Sequence, residues 1–194
     1  MKKIPSLFVR DFTSEPKLVT RTVTPGCEWV TNGEGITTEK LDGTACMVRD
    51  GVLWKRYDAK HGKSPPPGFE PAQEPDTKTG HWPGWVKVGA EPDSRWHVEA
   101  FAQDLLHPPS DGTYELIGPR INGNPYGAEQ HTLVRHGALN YGSAPDLRNY
   151  DEIRAWLAVQ PTEGLVWHHP DGRMAKIKRS DFGFAWPVRS DADL

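Results

Sequence analysis

The chain has 194 residues, with 23 Lys and Arg against 26 Asp and Glu and a formal net charge of −3. That length suits one domain with an ample core, and small net charge with eight tryptophans argues for a folded chain rather than a disordered one. The slight acidity excludes a protein that coats nucleic acid by charge alone, and no apolar run of about 18 residues is present to make a transmembrane helix.

In chain order, Met1-Lys2-Lys3-Ile4-Pro5 carries charge but no continuous apolar segment, so a secretory leader is not expected. The two cysteines, Cys27 and Cys46, make neither a disulfide framework nor a zinc site. A cytoplasmic protein with no membrane partner fits these features. Residues 44–58 hold two β-rich runs flanking Asp50-Gly51, the dipeptide that favours a type I′ hairpin. Lys63 to Gly84 carries six prolines and reads as a surface loop or lid. Within it, His81-Trp82-Pro83-Gly84-Trp85 reads either as a nucleobase-stacking segment or as a loop anchored on the core by tryptophan.

A helix is expected after Ser94 as N-cap, running through Trp96, Phe101 and Leu105. Tyr114-Glu115-Leu116-Ile117 and His131-Thr132-Leu133-Val134 read as strands, and Asn122 to Gly127 as a turn-rich connection with Tyr126 a candidate neighbour of a nucleotide. A second helix follows Asn149 or Asp151, with Ile153, Trp156 and Leu157 on one face. Glu163 to Lys178 forms a second hairpin around Pro170-Asp171-Gly172. Strands outnumber helices and hairpins dominate, which predicts an antiparallel α+β domain.

Thr37 to Thr44, with the sequence Thr-Thr-Glu-Lys-Leu-Asp-Gly-Thr, immediately precedes the first hairpin. An extended chain places Lys40 and Asp42 on one face, and Gly43 permits a tight turn or close approach of a ligand. A carboxylate that near keeps a lysine protonated, so a nucleophilic Lys40 needs other cations or desolvation; the plain alternative is a surface turn with a solvated ion pair. Lys176 and Lys178 share a strand face opposite Ala175 and Ile177, an arrangement that suits a polyphosphate or simply the polar side of an edge strand. Glu115 and Glu163 sit in apolar strand contexts and need a partner, a metal or a ligand hydroxyl; an ion pair between Glu163 and the two lysines is the bland solution. Lys55-Arg56 offers either a phosphate clamp or a solvated strand end. His168-His169 reads as a turn-proximal surface pair, because adjacent strand residues face opposite ways.

In the order Lys-x-Asp-Gly, Tyr-Glu-Leu-Ile-Gly, Glu-Gly-Leu-Val and Lys-Ile-Lys, these blocks resemble the signature of covalent nucleotidyltransferases, the polynucleotide ligases and mRNA capping guanylyltransferases. Thr-Glu-Lys-Leu-Asp-Gly-Thr is most similar to the ATP-dependent RNA ligases, and the whole set to the stand-alone 5′-to-3′ RNA ligase family. The resemblance runs from Thr37 to Arg179. It implies an antiparallel-sheet adenylation domain with flanking helices and no OB module. Residues 1–36 would supply N-terminal strands, 37–179 the motif-bearing core and 180–194 a short tail of a single domain.

The resemblance also implies roles. Lys40 would attack the α-phosphate of ATP and carry AMP; the backbone of Glu39 would meet the adenine; Asp42, beside Gly43, would assist sealing. Arg56, with Lys55 as competitor, would touch the adenylate or the RNA phosphate. Glu115 would bind the ribose, Glu163 would place Mg²⁺ or Mn²⁺, and Lys176 and Lys178 would hold the α-phosphate. The partner implied is RNA with 5′-phosphate and 3′-hydroxyl ends, and no protein partner is implied. The segment His131 to His136 lacks the Phe or Tyr with which many relatives stack the base, leaving Val134 or a histidine to cover it. The rivals are a capping-type guanylyltransferase and a nucleotide- or RNA-end-binding module without chemistry.

Overall fold

A computed structural model describes residues 2–13, 15–60, 62–77, 79–103, 108–137 and 146–188. Over these, in chain order, run β1 (Phe8–Arg10), β2 (Val19–Val23), the one-turn α1 (Glu28–Thr31), β3 (Ile36–Lys40), β4 (Thr44–Arg49), β5 (Val52–Ala59), β6 (Glu70–Pro71) and β7 (Trp82–Lys87). Then come α2 (Arg95–Phe101), β8 (Gly112–Ile117), β9 (Thr132–Arg135), α3 (Tyr150–Val159), β10 (Gly164–His168) and β11 (Met174–Lys178). Every strand-to-strand pairing in the sheets is antiparallel, as expected for an α+β chain. The chain divides into two compact units, one of Met1–Lys3 with Asp42–His136 and one of Ile4–Leu41 with Gly137–Leu194.

The first unit is built on a six-stranded sheet of order β6-β7-β5-β4-β8-β9. The β4–β5 hairpin turns at Asp50 and Gly51, whose φ values of 53° and 70° are the pair a type I′ turn requires. Cys46, Val48, Leu53, Tyr114 and Leu116 are buried and cluster with Ala100 of α2. Helix α2 starts after Ser94 as expected, but the Ser94 hydroxyl does not cap it. It accepts from Lys55 Nζ at 2.9 Å and donates to Glu91 at 3.2 Å. A one-turn 3₁₀ segment, Pro92–Ser94, already leads into the helix, so the first turn needs no side-chain cap. Leu105 lies outside the described residues.

The proline-rich stretch departs from the expected loop. Its end is β7, and β6 pairs with it through Glu70–Trp85 and Pro71–Gly84. Aromatic packing outweighs the proline signal: Phe69 stands edge-on to Tyr57 at 6.0 Å and to Trp82 at 5.2 Å, and Trp85 is buried. A Cβ on Gly84 would come within 2.3 Å of the Phe69 ring, so glycine is what admits that ring. Pro71 lies on the short edge strand, where a missing N–H is tolerated.

In the second unit the sheet order is β11-β10-β3. Leu165, Trp167, Ala175 and Ile177 alternate onto one face and are buried with Leu7, Phe8, Trp29, Val30, Ile153 and Leu157. Each such large side chain contributes about 1.5–3 kcal/mol by leaving water. Helix α3 is capped by Asn149, whose side chain accepts from Glu152 N at 3.0 Å; Asp151 instead pairs with Arg21. Among the described residues no helix is long and apolar enough to cross a membrane.

Candidate active site

Register places the lysines. In the second unit Gly164 of β10 lies between Lys178 of β11 and Lys40 of β3, and Val166 lies between Lys176 and Thr38. Alternation therefore sets Lys40, Lys176 and Lys178 on the face opposite the buried core. Gly164 has a steric reason, because a Cβ there would come within 2.0 Å of the Ile177 carbonyl oxygen.

Glu163, immediately before β10, has a side chain only 7% exposed. Its Oε1 accepts from Lys178 Nζ at 2.8 Å, and its Oε2 accepts from Lys40 Nζ. Lys40 Nζ also reaches the Leu41 carbonyl at 3.3 Å. The expected ion pair of Glu163 with the strand lysines exists, but its second partner is Lys40 rather than Lys176. Lys176 is left as the crowded cation: burial first, then the charges of Lys40 and Lys178, push its pKa down to about 8.

Glu39 pairs with Leu165 across the sheet, so its side chain lies on the other face from Lys40. Burial raises its carboxyl above the ordinary range, partly offset by a hydrogen bond from Thr162. Only the Glu39 backbone is shared with the lysine face. His168 and His169 diverge as expected, His168 to the Thr38 hydroxyl at 3.0 Å and His169 to Glu34 at 2.9 Å.

The first unit carries the other expected residues. Strand β3 ends at Lys40 and the unit boundary follows Leu41, so the alternation expected to put Lys40 and Asp42 on one face is not continued. Gly43 is required by close packing, since a Cβ would approach the Leu116 carbonyl to 2.3 Å. Its N–H donates to Glu115 Oε1 at 3.1 Å, and His136 Nε2 meets Glu115 Oε2 at 2.8 Å. The half-buried carboxylate thus has the partners its strand context demanded.

Lys55 and Arg56 separate cleanly. Lys55 lies opposite Cys46 on the core side, where it bonds Asp93 at 2.8 Å and Ser94. Arg56 lies on the other face, with Ala45 and Glu115, about the Trp85 ring at 5.5 Å and beside Asp58. The same face carries Arg49 and Lys87, 4.4 and 5.3 Å from the Trp54 ring. Val134 sits opposite Glu115 on β9.

Two side chains of the β8–β9 connection hold Asp42 and Gly43. Asn122 Nδ2 donates to Asp42 Oδ1 at 2.8 Å and to the Gly43 carbonyl at 2.9 Å, and the Tyr126 hydroxyl accepts from Asp42 N–H at 2.6 Å. Tyr126 was expected beside a nucleotide, and its hydroxyl meets the Asp42 backbone; Asn122, in a run of turn residues, carried no signal beyond its tolerance of a left-handed backbone.

The second unit thus gathers three lysines around a buried glutamate, and the first carries Glu115 and a basic aromatic sheet face. Residues 102–193 match the family model described as RNA ligase 1. The chain is 28% identical to RNA ligase 1 of Pongo abelii and 29% identical to RNA ligase 1 of Mus musculus, in each case over 96% of this chain and 82% of the relative. It is 27% identical to RNA ligase 1 of Danio rerio at the same coverage. Over most of its length the chain is thus similar to proteins named RNA ligase 1.

Proposed function

We propose that the chain is an ATP-dependent RNA ligase that joins RNA 5′-phosphate and 3′-hydroxyl ends through a lysyl-AMP intermediate on Lys40. The observation that carries this reading is the set of three lysines around the buried Glu163 on one face of β11-β10-β3. Clustered ammonium groups suit a polyphosphate and stabilise the charge that develops at a phosphorus under attack. The relatives' printed name, RNA ligase 1, supports an RNA substrate.

In this reading Lys40 gives up its proton, for which the Glu163 oxygen already hydrogen-bonded to it is an adjacent acceptor. The Nζ then attacks the α-phosphorus of ATP; a P–N bond forms and pyrophosphate departs. Lys176 and Lys178 hold the α-phosphate. An RNA 5′-phosphate oxygen next displaces Lys40 from the AMP phosphorus. Finally the 3′-hydroxyl oxygen attacks the 5′-phosphorus with Asp42 assisting, and AMP leaves. Glu115 holds the ribose, Arg56 a phosphate, Gly43 the close turn, and the Glu39 backbone the adenine.

Glu163 is a hard oxygen donor, and Mg²⁺ is commonly held by one or two carboxylates together with substrate phosphates. Among the described residues no group of three His, Cys, Asp or Glu could hold a metal ion, so Glu163 fits Mg²⁺ or Mn²⁺ as one ligand beside phosphate oxygens. Such an ion supplies neutralisation of phosphate charge.

The test is incubation with α-labelled ATP and Mg²⁺ followed by a denaturing gel. A labelled band that is absent in Lys40→Ala and does not form with GTP is expected. Retained label in Lys40→Ala overturns the assignment of the nucleophile. Label from GTP alone favours guanylyl transfer, and a folded protein that binds ATP without label favours a binding module.

A further inference from the structure

We infer that Asn122 is the positioning residue that aims the Asp42 carboxylate during strand sealing. This rests on the ligase reading above and extends it to a residue with no role so far.

Asn122 lies in the connection between β8 and β9 and belongs to the same compact unit as Asp42. Two tight turns frame it, Ile121 N–H to the Gly118 carbonyl at 3.1 Å and Asn124 N–H to the Ile121 carbonyl at 2.8 Å. Its backbone is left-handed, with φ 46°, a conformation that asparagine tolerates better than most residues with a Cβ. From there its amide nitrogen, which has two hydrogens, donates to two acceptors, Asp42 Oδ1 and the Gly43 carbonyl. Four residues on, the Tyr126 hydroxyl accepts the Asp42 N–H. The loop therefore grips Asp42 by its backbone and by its carboxylate.

The chemistry of the grip matters. A lysine or arginine here would fix the carboxylate but also neutralise it. A neutral amide fixes it and leaves the negative charge in place. In sealing, the 3′-hydroxyl oxygen bonds to the 5′-phosphorus, the P–O bond to AMP breaks with AMP taking the electron pair, and the hydroxyl proton passes to Asp42. A carboxylate that is both aimed and charged serves that proton transfer, and small misplacements of a reacting group are expensive in rate. Asn122 is itself exposed, so it adds little to packing, and its replacement tests the chemistry rather than the fold.

The experiment compares wild type with Asn122→Gly and Asn122→Asp in two separate assays. One is self-labelling by α-labelled ATP; the other is single-turnover sealing of a strand supplied already adenylated. Glycine keeps the left-handed backbone and removes the amide. Aspartate keeps the shape but sets a like charge against Asp42. We expect self-labelling within about twofold of wild type in both, and sealing slower by about tenfold to a hundredfold in Asn122→Gly and slower still in Asn122→Asp. A purely structural role would reverse that order, because aspartate is the closer mimic of asparagine. Wild-type sealing by Asn122→Gly, or equal loss in both assays, overturns the inference. Absence of both labelling and sealing in wild type overturns the ligase reading itself, and this inference with it.

Discussion

Lys176 sits near its own protonation equilibrium at neutral to mildly basic pH, because burial and two neighbouring ammonium groups push its pKa down to about 8. A bound triphosphate favours the charged form. Below about pH 8 the ammonium is present before the ligand arrives; above it, binding must take up a proton, so affinity falls as pH rises. Titration calorimetry with a non-transferable ATP analogue at a series of pH values should show that decline, and Lys176→Arg, which stays charged, should flatten it. A wild-type affinity that is level from neutrality to mildly basic pH would remove Lys176 from the phosphate site. That Lys176 and Lys178 share a face was legible from simple alternation. The double hold on Glu163 was not, because Lys40 arrives from β3, 123 residues away in the sequence, through a register no local pattern encodes. Lys55 was ambiguous for the same reason: its partners Asp93 and Ser94 lie 38 and 39 residues downstream.

Each hairpin illustrates what elements reveal. The β4–β5 hairpin was readable from Asp50-Gly51, whose left-handed pair makes the turn with little help from outside. The β6–β7 pair was hidden by prolines, of which Pro71 lies on the short edge strand, and beside it Phe69 packs edge-on against Trp82 and Tyr57. Strand β10 makes a sharper prediction. Gly164 lies between two lysines, and any Cβ meets the Ile177 carbonyl, a backbone atom that cannot swing aside. Gly164→Ala should destabilise the protein by about 1–3 kcal/mol, as overpacking does, read as a lower denaturation midpoint in urea. A midpoint equal to wild type would mean that β10 and β11 can spread there freely.

At the scale of the whole molecule, charge and surface point the same way. The net charge is −3, and the described cations on the Glu115 face of the six-stranded sheet are few: Arg49, partly committed to Glu70, with Arg56 and Lys87. Few phosphate contacts release few counterions, so the plot of log affinity for single-stranded RNA against log salt should be shallow, with a slope of magnitude about 3 or less. A much steeper slope, measured by filter binding, would reveal a basic track that this face does not account for. The relatives align over 271 positions against the 194 residues here, so they carry insertions relative to this chain. The motifs fall on strands and their immediate ends, which is why so much of the candidate site was legible in sequence while the loops that brace it, Asn122 above all, were not.

Glu163 is held by two lysines, one of which is the proposed nucleophile. On the ligase reading, loading AMP converts the Lys40 ammonium into the neutral nitrogen of a phosphoramidate whose phosphoryl group carries a negative charge, and the buried carboxylate loses one of its two cationic partners. The site then carries one positive charge fewer, and Glu163 is released from Lys40 at the moment the first step ends. Its ligation state registers whether the enzyme is loaded, so a probe of the Glu163 carboxylate would tell the free enzyme from the charged one without any label on the nucleotide.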